Sequence, residues 1–180
     1  MLIGQTLAGS AVALGCALLG SGCDEGSSSA SAFTGRFELT GRETRAACDD
    51  SAPWVALAVE DPRFFRLAPI QVFGDPFLGY FVCSDADTCA DNASLGLSFS
   101  RADGDWVSQR GELGSSPEGC ALEMRAGPLE ITTDGLALVV SHHQGTLDLT
   151  PEACTLDVLE SRYAELPCLD QVRWTARRLP

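Results

Sequence analysis

Adjacent histidines and a run of aspartates are the residues in this sequence that could hold a metal ion. His142 and His143 are the only histidines, and adjacent side chains on a strand point to opposite faces. The two rings therefore cannot readily share one ion, and we predict that one faces the interior and the other faces solvent. Three aspartates and an asparagine lie within residues 85–92, but the Gly and Glu of an EF-hand loop are missing. We expect a solvated acidic loop, no metal and no cofactor.

The sequence contains none of the common catalytic motifs that are recognised by spacing. Gly-x-Ser-x-Gly, Ser-x-x-Lys and His-Glu-x-x-His are all absent. All twelve basic residues are arginine, which removes lysine Schiff-base and lysine general-base chemistry as well. A site built from two carboxylates stays open, because residues distant in sequence can meet in the fold. We predict that the protein is not an enzyme and keep an unrecognised hydrolase as an alternative.

The N-terminal stretch has the features of an export signal. Residues 2–22 carry no charged side chain, and the apolar core at residues 7–19 has the length of a signal-peptide core rather than of a transmembrane span. Small residues, Ser21 and Gly22, follow this core and precede Cys23, after which a polar Gly/Ser tract begins. This arrangement resembles the lipobox of bacterial lipoproteins.

The lipoprotein resemblance implies a lipid anchor at Cys23. In this family a diacylglyceryl group is attached to the cysteine thiol and the peptide bond before it is cut, which would remove residues 1–22. Cys16 is the rival site, but apolar residues follow it where a polar tether is expected. Acyl chains contribute ~0.8 kcal/mol per buried methylene, so two or three of them hold a protein on a bilayer. We expect a location on the extracytoplasmic side of a bacterial membrane, with inner or outer membrane left open.

Six cysteines remain after Cys16 and Cys23, and they predict three disulfides. An even number of cysteines in an exported chain indicates a disulfide framework. Their spacing contains no Cys-x-x-Cys pair, so it does not favour zinc. The six are Cys48, Cys83, Cys89, Cys120, Cys154 and Cys168.

The geometry of the intervening chain ranks the two pairs that are close in sequence. Cys83–Cys89 comes first, because the five mostly polar residues between them, at a strand end and in a loop, can curl within reach. Cys154–Cys168 comes second, because a helix of about 22 Å between these cysteines would hold them apart unless it ended early. If that pair does not form, both cysteines are expected to reach Cys48 and Cys120.

The composition predicts a single exported domain. Residues 33–180 have the length of a single domain. Residues 23–32 form the Ser/Gly-rich tether that would carry the lipid. The formal charge of −13 argues against binding to nucleic acid or to anionic lipid headgroups through the protein surface. We therefore expect the lipid anchor to make the membrane contact.

Apolar and polar residues alternate from Phe33 onward with the period of a β-strand. The continuous apolar run Trp54–Val59 predicts a short strand buried on both faces, and Asp103-Gly104 signals a hairpin. Thr150 as N-cap and Pro151 at the first position predict a helix that continues to Glu165. The predicted strands are 33–40, 54–59, 64–73, 77–83, 94–100, 106–113, 120–127, 129–131, 136–141 and 172–177.

These elements predict a mainly β fold with one helix before the last strand. About nine or ten sequential antiparallel strands fit either an up-and-down barrel or a two-sheet sandwich. Gly35-x-Phe37 in the first strand, the late helix, and Arg177 or Arg178 in the closing strand resemble a lipocalin in outline. That resemblance implies a barrel that carries a small apolar ligand.

Three functions remain open from the sequence. The leading one is a non-enzymatic binding or structural module of the cell envelope, and the alternatives are a lipocalin-like carrier and a hydrolase. A closed barrel with an empty lumen would favour the carrier, and two carboxylates within hydrogen-bond reach of each other would favour the enzyme. Six aromatic residues on predicted strands either fill the core or line a pocket: Trp54, Phe65, Phe77, Phe81, Trp106 and Trp174.

Overall fold

A closed antiparallel β-barrel forms the body of the protein. The computed structural model describes residues 29–87, 95–116 and 119–180, and within them it contains nine strands and two short α-helices. The strands are β1 (Gly35–Ala46), β2 (Val55–Leu57), β3 (Phe64–Val72), β4 (Asp75–Cys83), β5 (Leu95–Ala102), β6 (Asp105–Ser116), β7 (Gly119–Ile131), β8 (Gly135–Leu147) and β9 (Cys168–Arg178). The helices are α1 (Ala30–Phe33) and α2 (Leu156–Arg162), and 3₁₀ turns at Pro151–Ala153 and Tyr163–Glu165 flank α2.

Eight of these strands close the ring, and β2 lies outside it. Each strand from β3 to β9 pairs with the next, and β1 closes the barrel by pairing with both β3 and β9. One edge of β1 is paired with β9 along residues 37–46. The other edge is shared by β3, at residues 35–38, and β2, at residues 42–44. The predicted mainly β class is confirmed, and of the two predicted architectures the protein adopts the barrel.

The two ends of the barrel differ. The α1 end carries α1, the tight β3–β4, β5–β6 and β7–β8 turns, and the end of β9. The opposite end carries the longer connections, including the β8–β9 segment that contains α2. Phe33 of α1 is buried at the α1 end in an apolar cluster that includes Phe37, Phe65, Phe99 and Trp106. Aromatic side chains therefore fill the barrel at this end.

A second apolar cluster lies on the outer face of the barrel. α2 packs across β6 and β7, and Leu159 of α2 is fully buried there in a cluster with Leu122, Met124 and Leu166. Gly111 of β6 permits the close approach, because a Cβ at this position would lie 2.7 Å from a methyl carbon of Leu159. β7 thus packs on both faces, one against the lumen and one against α2.

Several predicted strand and tether boundaries differ from the structure. The prediction that Trp54–Val59 is buried on both faces is wrong, since β2 flanks β1 outside the ring and its three residues are exposed. The predicted segments 120–127 and 129–131 are one strand, Gly119–Ile131. The ladder to β8 skips residues 127 and 128, so the missing N–H of Pro128 costs no pairing with β8. Ala32 already packs against the lumen core, so packing begins before the predicted start at Phe33.

The predicted helix is present but divided. Thr155, rather than Thr150, caps α2, and its hydroxyl accepts a hydrogen bond from the backbone N–H of Val158 at 3.3 Å. The preceding Pro151–Ala153 segment is a separate 3₁₀ turn that ends at Cys154. None of the helices in the described ranges combines the length and the apolar character that a membrane crossing requires.

Two disulfides join described cysteines, Cys48–Cys168 and Cys120–Cys154. The second-ranked pairing, Cys154–Cys168, is therefore wrong, and the arrangement expected in that case is the one found. The reason is the barrel itself: Cys168 begins β9 beside the end of β1, and Cys154 lies against the outer cluster around β7.

The first-ranked pairing, Cys83–Cys89, includes one cysteine outside the described residues. Cys83 ends β4 and is disulfide-bonded. Its predicted partner, Cys89, lies outside the described residues, so the pairing stays a prediction.

Removing the Cys48–Cys168 bridge should destabilise the barrel by about 2–5 kcal/mol, because the bridge closes a loop across a sequence separation of 120 residues. The double variant Cys48→Ala/Cys168→Ala tests this in a urea titration, with the free energy of unfolding as the readout. Cys48 is exposed, so little packing is lost with the sulfur. A loss below about 1 kcal/mol would show that the bridge does not restrict the unfolded chain as proposed.

Candidate functional site

The barrel encloses a cavity in its lumen. Its volume is ≈300 Å³, at the lower end of the range for small-molecule sites. All eight strands of the ring contribute to its lining, because every second side chain of a barrel strand points inward. Most of the wall is apolar, and Leu67, Phe99, Leu129, Leu138, Val140 and Trp174 represent it.

Two uncharged polar side chains interrupt this apolar wall. Tyr80 of β4 stacks on Phe65 with 4.7 Å between the ring centroids. Burial raises the pKa of the Tyr80 phenol above its usual value, so the hydroxyl stays protonated and can donate a hydrogen bond at neutral pH. Ser108 of β6 is also buried and contributes a hydroxyl to the lining.

Two arginines line the cavity at its end away from α1. Arg110 of β6 and Arg125 of β7 are directly opposed in the register of the two strands. Glu112 and Glu123 are opposed in the same way. Each arginine contacts the glutamate on its own strand: Arg110 Nη2 lies 3.4 Å from Glu112 Oε1, and Arg125 Nε lies 3.2 Å from Glu123 Oε1. Both arginine side chains are more than half exposed, at 72% and 56%.

His142 extends this charged group across β8. Its Nδ1 lies 3.1 Å from Asp170 Oδ2 on β9. Its Nε2 lies 3.2 Å from Glu123 Oε1 on β7, a close contact that lacks hydrogen-bond alignment. The imidazole thus lies between two carboxylates and links three strands. Glu123 and Asp170 contact opposite nitrogens of this ring.

His143 faces the other way, as predicted from the alternation of strand residues, but it is half-buried against Tyr163 rather than open to solvent. Its ring meets the Tyr163 ring edge-on at 5.3 Å, and Nδ1 lies 3.1 Å from the carbonyl oxygen of Leu166. The sulfurs of Cys48 and Cys168 are also close enough to His143 to share an ion. Because these sulfurs are joined in a disulfide, they are not available as thiolate ligands.

Of the aspartates in the predicted acidic loop, Asp85 and Asp87 are described. Both are exposed, and Asp85 Oδ1 accepts a hydrogen bond from the backbone N–H of Asp87 at 3.0 Å. The carboxylate of Asp85 is thus part of a local turn. Asp91 and Asn92 lie outside the described residues.

Arg178 holds α1 against the barrel. Its guanidinium donates to the carbonyl oxygens of Thr34 and Ala32, each at 2.7 Å, and its Cζ lies 4.8 Å from the centroid of the Phe37 ring. Gly35 leaves room for this contact, because a Cβ there would lie 2.5 Å from Arg178 Nη1. The residues that carried the lipocalin resemblance therefore meet at the α1 end of the cavity.

The predicted aromatic residues divide between the two faces of the barrel. Phe65 and Trp174 line the cavity, and Trp106 is buried in the core at the α1 end. Phe81 packs outside, under the guanidinium of Arg66. Phe77 and Trp54 do not line the cavity; Trp54 lies between the guanidinium groups of Arg45 and Arg173, 4.6 and 4.4 Å from its ring.

The sequence-based prediction did not identify the charged residues of the cavity. The alternation of β6 contains the signal that would have found them: Ser108, Arg110 and Glu112 share a strand face with the buried Trp106. Charged residues on the face of a buried tryptophan indicate a polar end to the lumen. The link from His142 to Asp170 carries no such signal, because 28 residues separate the two.

Comparison with known proteins shows a distant structural similarity. The sequence matches no protein-family model and no curated protein. Among solved structures, the fold is similar to the monomer form of the sensor domain of M. tuberculosis PknI, with a TM-score of 0.36 and 12% sequence identity. The match covers 81% of this chain and 86% of that one.

Arg178→Ala should lower the free energy of unfolding by about 1–2 kcal/mol, because it removes two charge-assisted hydrogen bonds from an exposed guanidinium. Thermal or urea unfolding measures the loss. Arg177→Ala is the matched control, since Arg177 pairs with Glu38 across strands without touching α1. The control should lose less than Arg178→Ala, about 0–1 kcal/mol. Equal losses would contradict a role of Arg178 in holding α1.

Proposed function

We propose that this protein is a lipid-anchored protein of the cell envelope whose barrel binds a small apolar molecule in its lumen. The observation that carries the proposal is the cavity of ≈300 Å³, with apolar side chains from the ring strands as its wall. Small closed barrels either fill the lumen with side chains or hold a ligand in it. This barrel is filled at the α1 end and leaves space beyond it.

The energetic cost of such a space supports a binding role. An unfilled apolar cavity destabilises a protein by about 24 cal/mol per Å³, so a barrel selected for rigidity alone would gain stability from larger side chains. Ala137, Val140 and Ala176 are small residues at this wall. Their size supports a lumen that accommodates a guest molecule.

A binding role fits the polar groups of the site better than a catalytic one. Tyr80 and Ser108 supply hydrogen-bonding groups within an apolar wall, which is the usual composition of a ligand pocket. The carboxylates nearest the cavity are held by cations: Glu112 by Arg110, and Glu123 by Arg125. A paired acid and base for hydrolysis would instead need two carboxylates in different environments.

The lipid anchor at Cys23 is part of the same proposal. The disulfides of the barrel are typical of proteins exposed to an oxidising compartment. Five residues lie between Cys23 and Ser29, the first described residue, and a segment of this length spans at most about 22 Å. The α1 end would therefore face the membrane, and the end with Arg110 and Arg125 would face away from it.

Val140→Trp should weaken ligand binding at least about tenfold, because the indole would occupy the lumen. Binding is measured by the fluorescence of N-phenyl-1-naphthylamine, an apolar probe, titrated with the full chain. Val139→Trp is the matched control: Val139 precedes Val140 on β8 but lines a groove on the outer face with Tyr163. It should bind the probe like the unmodified protein.

Two outcomes would contradict the lumen as the binding site. The unmodified protein would fail to enhance probe fluorescence, or Val139→Trp would weaken binding as much as Val140→Trp. Thermal unfolding of both variants establishes that they are folded at the temperature of the titration.

Cys23→Ala should release the protein from the membrane fraction, because the thiol that carries the lipid is gone. Fractionation of cells, followed by detection of the chain in soluble and membrane fractions, measures this. Cys16→Ala is the control and should stay with the membranes. Retention of Cys23→Ala with release of Cys16→Ala would place the anchor at the other cysteine.

A further inference from the structure

We infer that the lumen ligand is a single-chain amphiphile with an anionic head group, held at the head by Arg110 and Arg125. This inference rests on the proposed lumen-binding function and adds the chemical class of the ligand. The alkyl chain would lie along the apolar wall, and the head group would lie at the end of the cavity away from α1.

The charge of the cavity lining is the first observation. The chain has 25 acidic and twelve basic residues, so carboxylates outnumber cations about two to one. The charged side chains that line the cavity in the described part of the chain are nevertheless both arginines. The glutamates that contact them, Glu112 and Glu123, are not part of this lining. The charged groups that face the apolar lumen are therefore cationic, which favours an anion over a neutral or cationic ligand.

The register of β6 and β7 is the second observation. Arg110 and Arg125 are directly opposed, and like charges in this position repel each other and destabilise the strand pair. The adjacent pair, Glu112 and Glu123, relieves part of this repulsion through one contact to each arginine. An anion between the two guanidinium groups would relieve it further and would gain charge-assisted hydrogen bonds.

The arginines retain donors for such an anion. Each guanidinium carries five N–H donors, and the contacts to glutamate use Nη2 of Arg110 and Nε of Arg125. Because both side chains are more than half exposed, these ion pairs are worth about 0–1 kcal/mol each. A ligand carboxylate can therefore compete for the remaining guanidinium nitrogens at little cost.

The apolar wall identifies the rest of the ligand. A small hydrophilic anion would make no use of Leu129, Leu138 and Val140, which line the same cavity. A head group buried deep in the lumen would lose its hydration and would have no cationic partner. A head group at the arginines keeps its hydration and has a cationic partner. A cavity of ≈300 Å³ at the lower end of ligand sites favours one alkyl chain over two.

Matched ligands that differ only in the head group test the inference. Decanoate, decanol and decylamine carry the same alkyl chain and are titrated into the full chain at neutral pH, by displacement of N-phenyl-1-naphthylamine below their micelle concentrations. Decanoate should bind at least about tenfold tighter than decanol, the ratio that one charge-assisted contact would give. Decylamine should bind more weakly than decanol.

The double variant Arg110→Gln/Arg125→Gln should lose this preference. Its affinity for decanoate should fall to that for decanol, while its affinity for decanol stays unchanged. Arg63→Gln/Arg162→Gln is the matched control, because it removes the same charge from residues whose partners, Asp61 and Glu165, lie outside the lumen. The control should keep the preference for decanoate.

The outcomes separate the two proposals. If decanol displaces the probe as well as decanoate does, the anionic head group is wrong. If the double variant keeps the preference for decanoate, the placement of the head group at Arg110 and Arg125 is wrong. In both cases the apolar-binding function stands. If none of the three ligands displaces the probe, the lumen-binding function is wrong and the head-group inference is overturned with it.

Discussion

Closure of the sheet depends on the pairing of β9 with β1. That seam runs from Phe37 opposite Arg178 to Ala46 opposite Asp170, and a register shift between Leu39 and Gly41 interrupts it. Without it the sheet would expose two edges, each a row of unpaired backbone groups. Closure also turns alternate side chains of the ring inward, so the lumen and every property of it follow from this one strand pairing.

The lumen created by closure is polarised along its axis. Aromatic side chains and α1 fill one end, apolar walls surround the cavity in the middle, and arginine, glutamate, histidine and aspartate meet at the other end. An amphiphilic molecule has the same order of polar and apolar parts. The fold thus supplies orientation as well as space, because a guest entering with its chain first would meet compatible surroundings at each depth.

The sequence predicted those elements of the structure that local residue patterns determine. Period-two alternation located the long strands, and Thr150 and Pro151 located the helical segment. It misjudged β2, because a short apolar run has no periodicity to show whether it lies inside or outside a ring. It also missed the meeting of Arg110 with Arg125, since which charges face one another is set by strand register, a property of the pair rather than of either strand.

The Cys48–Cys168 bridge has a consequence for how the barrel can come apart. It joins the residues just beyond β1 and at the start of β9, so it fastens the seam at one end of the molecule. Fraying of the seam must then begin at the other end, where α1 and Arg178 lie. Backbone amides of β1 and β9 near the bridge should accordingly be the last of the seam to exchange their hydrogens with solvent, and those near Phe37 the first.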